Sequence, residues 1–169
     1  MKILLVNKYF NMHGGSETYF FGLADLLRQA GHEVIFFAMQ DEKNLPCEQS
    51  AYFVSNVEFN GELTAAQKLK AAFRMVYSFE AKKKISALIE KEKPDIIHIN
   101  LFHRVLTASI VDAAKKHGIP VVFTMHDLNC VCPNHVMLDH GKICEACLHG
   151  NYWNCVKRCL LYTSPSPRD

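Results

Sequence analysis

No apolar run in this chain approaches the ~20 residues needed to cross a bilayer. The N-terminus is not a secretory leader either, because its apolar stretch is only Ile3 to Val6 and is broken at once by Asn7 and Lys8. Together these absences point to a cytoplasmic home. Charge of one sign is also scarce. The formal net charge is +2, too small to imply a nucleic-acid partner. No GxGxxG stretch occurs, and only Asp41 lies near the end of the second predicted strand to hold a ribose. A dinucleotide oxidoreductase is therefore disfavoured. No pair of carboxylates suits glycoside hydrolysis, and no internal repeat is visible. General disorder is excluded too, since 49% of the residues are hydrophobic. A chain of 169 residues can bury one core, so one domain is expected.

What the chain does have is a βαβ opening. Ile3 to Val6 suits a strand covered on both faces. A loop from Lys8 to Gly15 follows, with a glycine pair at Gly14-Gly15. Ser16 is placed to cap a helix whose apolar positions Phe20, Leu23, Ala24 and Leu27 recur at helical spacing. Gly31 ends that helix, and Val34 to Ala38 starts the second strand. A helix N-terminus behind a glycine pair favours an anion, because free backbone N–H groups point at it and nothing blocks its approach. The plain alternative is a flexible Gly-Gly loop.

Further on, Asp41 to Ser50 is polar and contains Pro46, which marks a loop, and Ala51 to Val57 suits a third strand. Asn60-Gly61 marks another turn. Thr64 to Lys93 is helical in pattern, with a break near Tyr77-Ser78. Its run Lys82-Lys83-Lys84 reads as a solvated helix face, or alternatively as a patch for a membrane surface. Pro94 ends the helix. Ile96 to Ile99 is a short buried strand, Thr107 to His117 a helix closed by Gly118, and Pro120 to Thr124 another strand. Strands alternating with helices imply an α/β fold, a Rossmann-like parallel sheet with helices on both faces.

The segments GGSE (Gly14 to Glu17), AGHEV, KPDIIHIN and GIPVVFTMHD resemble the N-terminal domain of retaining glycosyltransferases of family four. The resemblance covers about residues 1 to 160 and implies the N-terminal half of a GT-B fold, two Rossmann-like domains facing a cleft. It implies glycosyl transfer from a nucleotide-sugar donor to a saccharide or lipid-linked acceptor, with Gly14, Gly15, Ser16 and Glu17 near the donor diphosphate. His126 and Asp127, just past a strand's carboxyl end, would orient sugar hydroxyls; they could equally cap the loop there. His103 near the same edge could reach the acceptor, whereas His98 within a strand reads as a core histidine. Asn100 stands where the family pattern has a second histidine. Many relatives work at the inner membrane face, so a peripheral membrane contact is compatible with the lysine run. A stand-alone Rossmann-like binding module is the rival reading.

A cysteine-rich loop fills residues 128–160. Cys144-x-x-Cys147 has zinc-knuckle spacing, flanked by Cys132, Cys155 and Cys159. Thiols stay reduced in a cytoplasm, so metal or free thiols are expected before disulfides. Cys132, Cys144, Cys147 and Cys159 are the expected structural zinc ligands, with Cys130 and Cys155 as extras and His135, His140 and His149 as substitutes. The rivals are a redox CxxC and plain buried thiols. Catalytic zinc is disfavoured, because no open three-ligand water site is suggested. A subset of the family carries a similar insertion. Residues 161–169, LYTSPSPRD, resemble a translated sequencing-adapter scar and are set aside. The family pattern would continue into a second, donor-binding domain, so this chain reads as truncated.

Overall fold

The computed structural model describes residues 1–56, 73–132, 136–139 and 141–155. The chain divides into two units, Met1–Thr124 and Met125–Asp169.

Four parallel strands form the sheet of the first unit. They are β1 (Lys2–Val6), β2 (Glu33–Phe37), β3 (Ile96–Ile99) and β4 (Val121–Phe123), in spatial order β2-β1-β3-β4. β1 is central, with Leu4 opposite both Ile35 and Ile97. A strand flanked on both sides and covered on both faces has no room for polar side chains, and Leu4, Leu5 and Val6 are fully buried.

Helices cover both faces, as the alternation of elements predicts. α1 (Gly15–Gln29) places Phe20 and Ala24 with Ile3, Leu5 and Phe36 on one face. Phe10 and Phe53 complete an aromatic cluster there, with the Phe10 and Phe36 rings 5.0 Å apart. α2 (Phe79–Glu92) and α3 (Ser109–Lys116) pack Ile85, Leu88, Ile110 and Ala113 against Leu4, Val6, Phe37, Ile97 and Ile99 on the other face. Ser78 caps α2, its hydroxyl accepting from the Ala81 N–H at 3.1 Å. The helix stops at Lys93, which takes a left-handed φ of 50° before Pro94.

Two local expectations are corrected. Ser16 lies inside α1, whose N-cap is Gly14 and makes no side-chain cap bond. Ala51 to Val57 is not a strand in its described part: Glu48–Tyr52 is a 3-10 turn, and Val54 makes one isolated bridge to Met39. One bridge is too little pairing to extend the sheet, and Val57 lies outside the described residues. Phe73 and Val76, which fall at helical spacing in the sequence, are exposed. The break at Tyr77-Ser78 is present, and the helical stretch before it is described only from Phe73.

The lysine run is partly tied down. Lys82 donates to the Tyr77 hydroxyl at 2.7 Å. Lys84 donates to the Phe53 carbonyl and pairs with Glu80 at 3.2 Å. Lys83 alone of the three is exposed.

The second unit is thin. Two-residue strands β5 (Leu138–Asp139) and β6 (Lys142–Ile143) pair antiparallel, and one helical turn spans Trp153–Cys155. Of its described residues only Cys132 is buried.

Candidate functional site at the carboxyl edge of the sheet

The connections from β1 and β3 leave in opposite directions. α1 returns the chain to β2 across one face, and α3 carries it to β4 across the other. The carboxyl ends of β1 and β3 are therefore a topological switch point, where open α/β sheets hold ligands.

The glycine turn stands at this point. Gly14 and Gly15 are exposed, and Ser16 is half-buried. A Cβ on Gly15 would meet nothing within 4 Å, so the first turn of α1 opens onto free space. Its N–H groups and the helix dipole favour an anion there.

Beneath the turn lies a polar hub that sequence reasoning missed. Asn7, fully buried, donates its two side-chain N–H bonds to the Tyr9 carbonyl at 2.9 Å and to Glu17 Oε1 at 3.0 Å. Its Oδ1 accepts from the Leu101 N–H at 3.1 Å. One carboxamide thus ties the loop after β1, the start of α1 and the loop after β3. Glu17 is 1% exposed, and its other oxygen accepts from Ser16 Oγ at 3.0 Å. Its carboxylate is turned inward at the helix N-terminus, where the dipole favours it. The Glu17 carboxylate supports the turn from below. The one signal for the hub was a polar residue placed directly after an apolar strand.

The loop after β3 carries His103, half-buried beside Phe102 with ring centroids 4.4 Å apart. Arg104 and Thr107 in this loop adopt left-handed φ values of 70° and 58°. Such conformations cost non-glycine residues roughly 1–3 kcal/mol each and collect at functional sites. Thr107 is held there by its hydroxyl, which accepts from the Ser78 N–H at 3.0 Å and donates to Ser109 Oγ at 3.0 Å. The structure therefore brings Gly14, Gly15, Ser16 and the His103 loop to one edge, joined through Asn7. His98 sits in β3 with Nε2 2.8 Å from Thr124 Oγ1, as a partnered histidine within the sheet.

His126 and Asp127 open the second unit. His126 is exposed. Asp127 accepts from the Asn129 N–H at 3.0 Å and from Asn129 Nδ2 at 3.1 Å, the bonding of a loop cap. Cys132, Cys144 and Cys147 line one small cavity in this unit, together with Cys155. Cys159, His135 and His140 lie outside the described residues, and His149 is exposed without lining the cavity. Among the described residues no three His, Cys, Asp or Glu side chains are grouped closely enough to hold a metal ion. No described helix is long and apolar enough to cross a membrane.

Two solved structures resemble the fold. MurG from Acinetobacter baumannii is 20% identical, with a TM-score of 0.46, over 72% of this chain and 34% of that one. Glycosyltransferase VinC in complex with DTDP is 19% identical, with a TM-score of 0.42, over 72% of this chain and 33% of that one. The chain spans about a third of the length of these structures, and both likenesses are too distant to bear on function. No curated protein sequence matches the chain. A family model does: the one described as Glycosyltransferase Family 4 matches residues 13–145, well over half of the chain. This chain belongs to glycosyltransferase family 4.

Proposed function

We propose that the chain is the acceptor-side, N-terminal domain of a glycosyltransferase of GT-B architecture. In this reading it works with a donor-binding domain that would follow residue 160. The parent enzyme moves a sugar from a nucleotide-activated donor to a saccharide or lipid-linked acceptor, with retention at the anomeric carbon. The observation that carries the reading is an open glycine turn at the switch point of a parallel sheet, in a chain of this family.

Glycosyl transfer needs the leaving diphosphate stabilised and the acceptor hydroxyl held near the anomeric carbon. Backbone N–H groups at Gly15 and Ser16 are suited to the first task, and Ser16 Oγ can turn from Glu17 to a phosphate oxygen. His103, His126 and Asp127 are assigned to the second, as hydrogen-bonding partners of sugar hydroxyls. Alone, the chain holds donor weakly and turns nothing over.

The test is a titration of the 169-residue chain with uridine, thymidine, guanosine and adenosine diphosphates, followed by backbone amide NMR. At least one should shift the Gly14, Gly15 and Ser16 amides. Gly15→Asp should keep the fold, since a Cβ has room there and an acidic first turn suits a helix. It should weaken binding at least tenfold by repelling the diphosphate. Shifts confined to other surfaces, or equal affinity in Gly15→Asp, would sink the reading.

A further inference from the structure

Two open cavities, of about 550 and 440 Å³, meet beyond the carboxyl end of β2 and share Gln40 and Asp41. Each has the size of a small-ligand site. Their walls are fixed by hydrogen bonds. Gln40 N–H donates to the Val54 carbonyl at 2.7 Å, and Val54 N–H to the Ala38 carbonyl at 3.0 Å. Ser55 donates its N–H and its hydroxyl to Glu80 Oε1 at 2.9 and 2.6 Å. Asn44 Nδ2 donates to the Met39 carbonyl at 2.8 Å. The same loop is tied to the one that leads into the glycine turn. Met39 N–H bonds the Lys8 carbonyl at 3.0 Å, and Leu45 N–H the Phe10 carbonyl at 2.9 Å.

The lining selects a class of ligand. Its charged side chains are Asp41, Glu42 and Lys43, so two carboxylates face one ammonium and a phosphate is disfavoured. Phe53 is the one aromatic residue among the described lining, and at 1% exposed it has no free face on which a base could stack. The remaining polar groups are the amides of Gln40, Asn44 and Asn56 and the hydroxyls of Ser50 and Ser55. Asp41 Oδ1 accepts from the Lys43 N–H at 2.9 Å, which holds the carboxylate in place, and its Oδ2 bonds no described residue. Asn44 Oδ1 is a buried acceptor with no partner among the described residues. Such acceptors are rare in folded proteins and call for a donor. A neutral ligand rich in hydroxyls supplies donors without adding charge.

We propose that the carboxyl end of β2 holds one neutral sugar ring, with Asp41 accepting from two adjacent hydroxyls and Gln40 and Asn44 bonding others. The purpose of the site rests on the glycosyl-transfer reading: the ring is a unit of the acceptor that does not itself react. The acceptor is then an oligosaccharide, read once at the switch point and again beside it, where β2 adjoins β1. A ribose carries the same pair of adjacent hydroxyls, and the experiment separates the two sources.

The whole isotope-labelled chain is titrated with glucose, galactose, mannose, rhamnose, N-acetylglucosamine and their disaccharides, and separately with uridine and adenosine, each followed by backbone amide NMR. At least one sugar should shift the Gln40, Asp41, Asn44 and Asn56 amides, and the nucleosides should not. Asp41→Asn keeps an oxygen for the Lys43 N–H, so the turn survives. It should weaken sugar binding by roughly tenfold or more, the loss of a charge-assisted hydrogen bond. Gln40→Ala removes an exposed side chain, keeps the backbone bond to Val54 and should weaken binding roughly twofold to tenfold. Unmoved amides in β1 and β3 show that each variant keeps the fold. Diphosphate binding is read at the Gly14, Gly15 and Ser16 amides and sugar binding at those named here, so either reading fails without the other. Three results would each overturn the proposal. They are no sugar that moves these amides, unchanged affinity in both variants, and shifts there from the nucleosides in place of the sugars.

Discussion

The two units of this chain are held by different means. The first buries whole side chains on both faces of a parallel sheet, and Phe20, Phe37, Leu88 and Ile97 are closed off from solvent. The second exposes side chains of the same chemical kind and buries only Cys132 among its described residues. Hydrophobic content alone therefore says little about whether a stretch has a core. What differs is the spacing. Apolar residues recurring at strand and helix periods meet across layers, whereas those after Thr124 do not and are interleaved with cysteines instead.

The contrast breaks most sharply by truncation in each unit. Phe37→Ala should destabilise the first unit by about 3–5 kcal/mol, because the cavity it leaves is walled by packed side chains. Ile143→Ala, at a side chain 75% exposed, should stay within about 0.5 kcal/mol. Urea unfolding followed by far-ultraviolet dichroism measures both, and equal costs would erase the distinction.

A comparable effect is expected at the polar hub of the first unit. Asn7→Ala leaves the Glu17 carboxylate and the Leu101 N–H without the partners they have now, at about 1–3 kcal/mol for each group left unsatisfied. Amide exchange at Leu101 should quicken in this variant. If it does not, the loops after β1 and β3 are not coupled through Asn7.

The smallest effect is electrostatic. Burial would raise the Glu80 carboxyl, but hydrogen bonds from the Ser55 hydroxyl and N–H, with Lys84 and Arg74 beside it, outweigh burial and hold it below the usual carboxylate range. Its folded-state pKa is thus lower than its unfolded one. The stability this contributes is present above the unfolded value, ordinarily about 4.3, and is lost as pH falls through the folded value. Between pH 7 and pH 3 the urea midpoint should fall less in Glu80→Gln than in the unmodified chain. Equal falls would mean that this cluster contributes nothing.

Much of the first unit was legible in the sequence for the same reason that it is stable. Ile3 to Val6 and Ile96 to Ile99 are short apolar runs, and parallel strands buried on both faces produce such runs. Ala51 to Val57 misled because Phe53 and Val54 are buried singly beside a 3-10 turn, which mimics a strand in composition. Ser16 looked like a cap, yet Gly14 takes that position and the Ser16 hydroxyl serves Glu17. The glycine turn was legible because its place between strand and helix is local. The hub was not, since the partners of Asn7 include an N–H that lies 94 residues away. Among the cysteines, spacing displays the Cys144–Cys147 pair plainly.

The central place of β1 bears on how the chain is made. β2 follows β1 closely and can pair with it early, but β3 must pair along the other side, and the bond between Lys2 and Asp95 spans 93 residues. At ribosomal rates of about 5–20 residues per second, that edge of β1 waits roughly 5–19 s for its neighbour. Through that interval the nascent chain presents β1 with one edge unpaired, a sticky template for other chains. Its yield in a cell is thus set by what shields the first six residues before the ninety-sixth arrives.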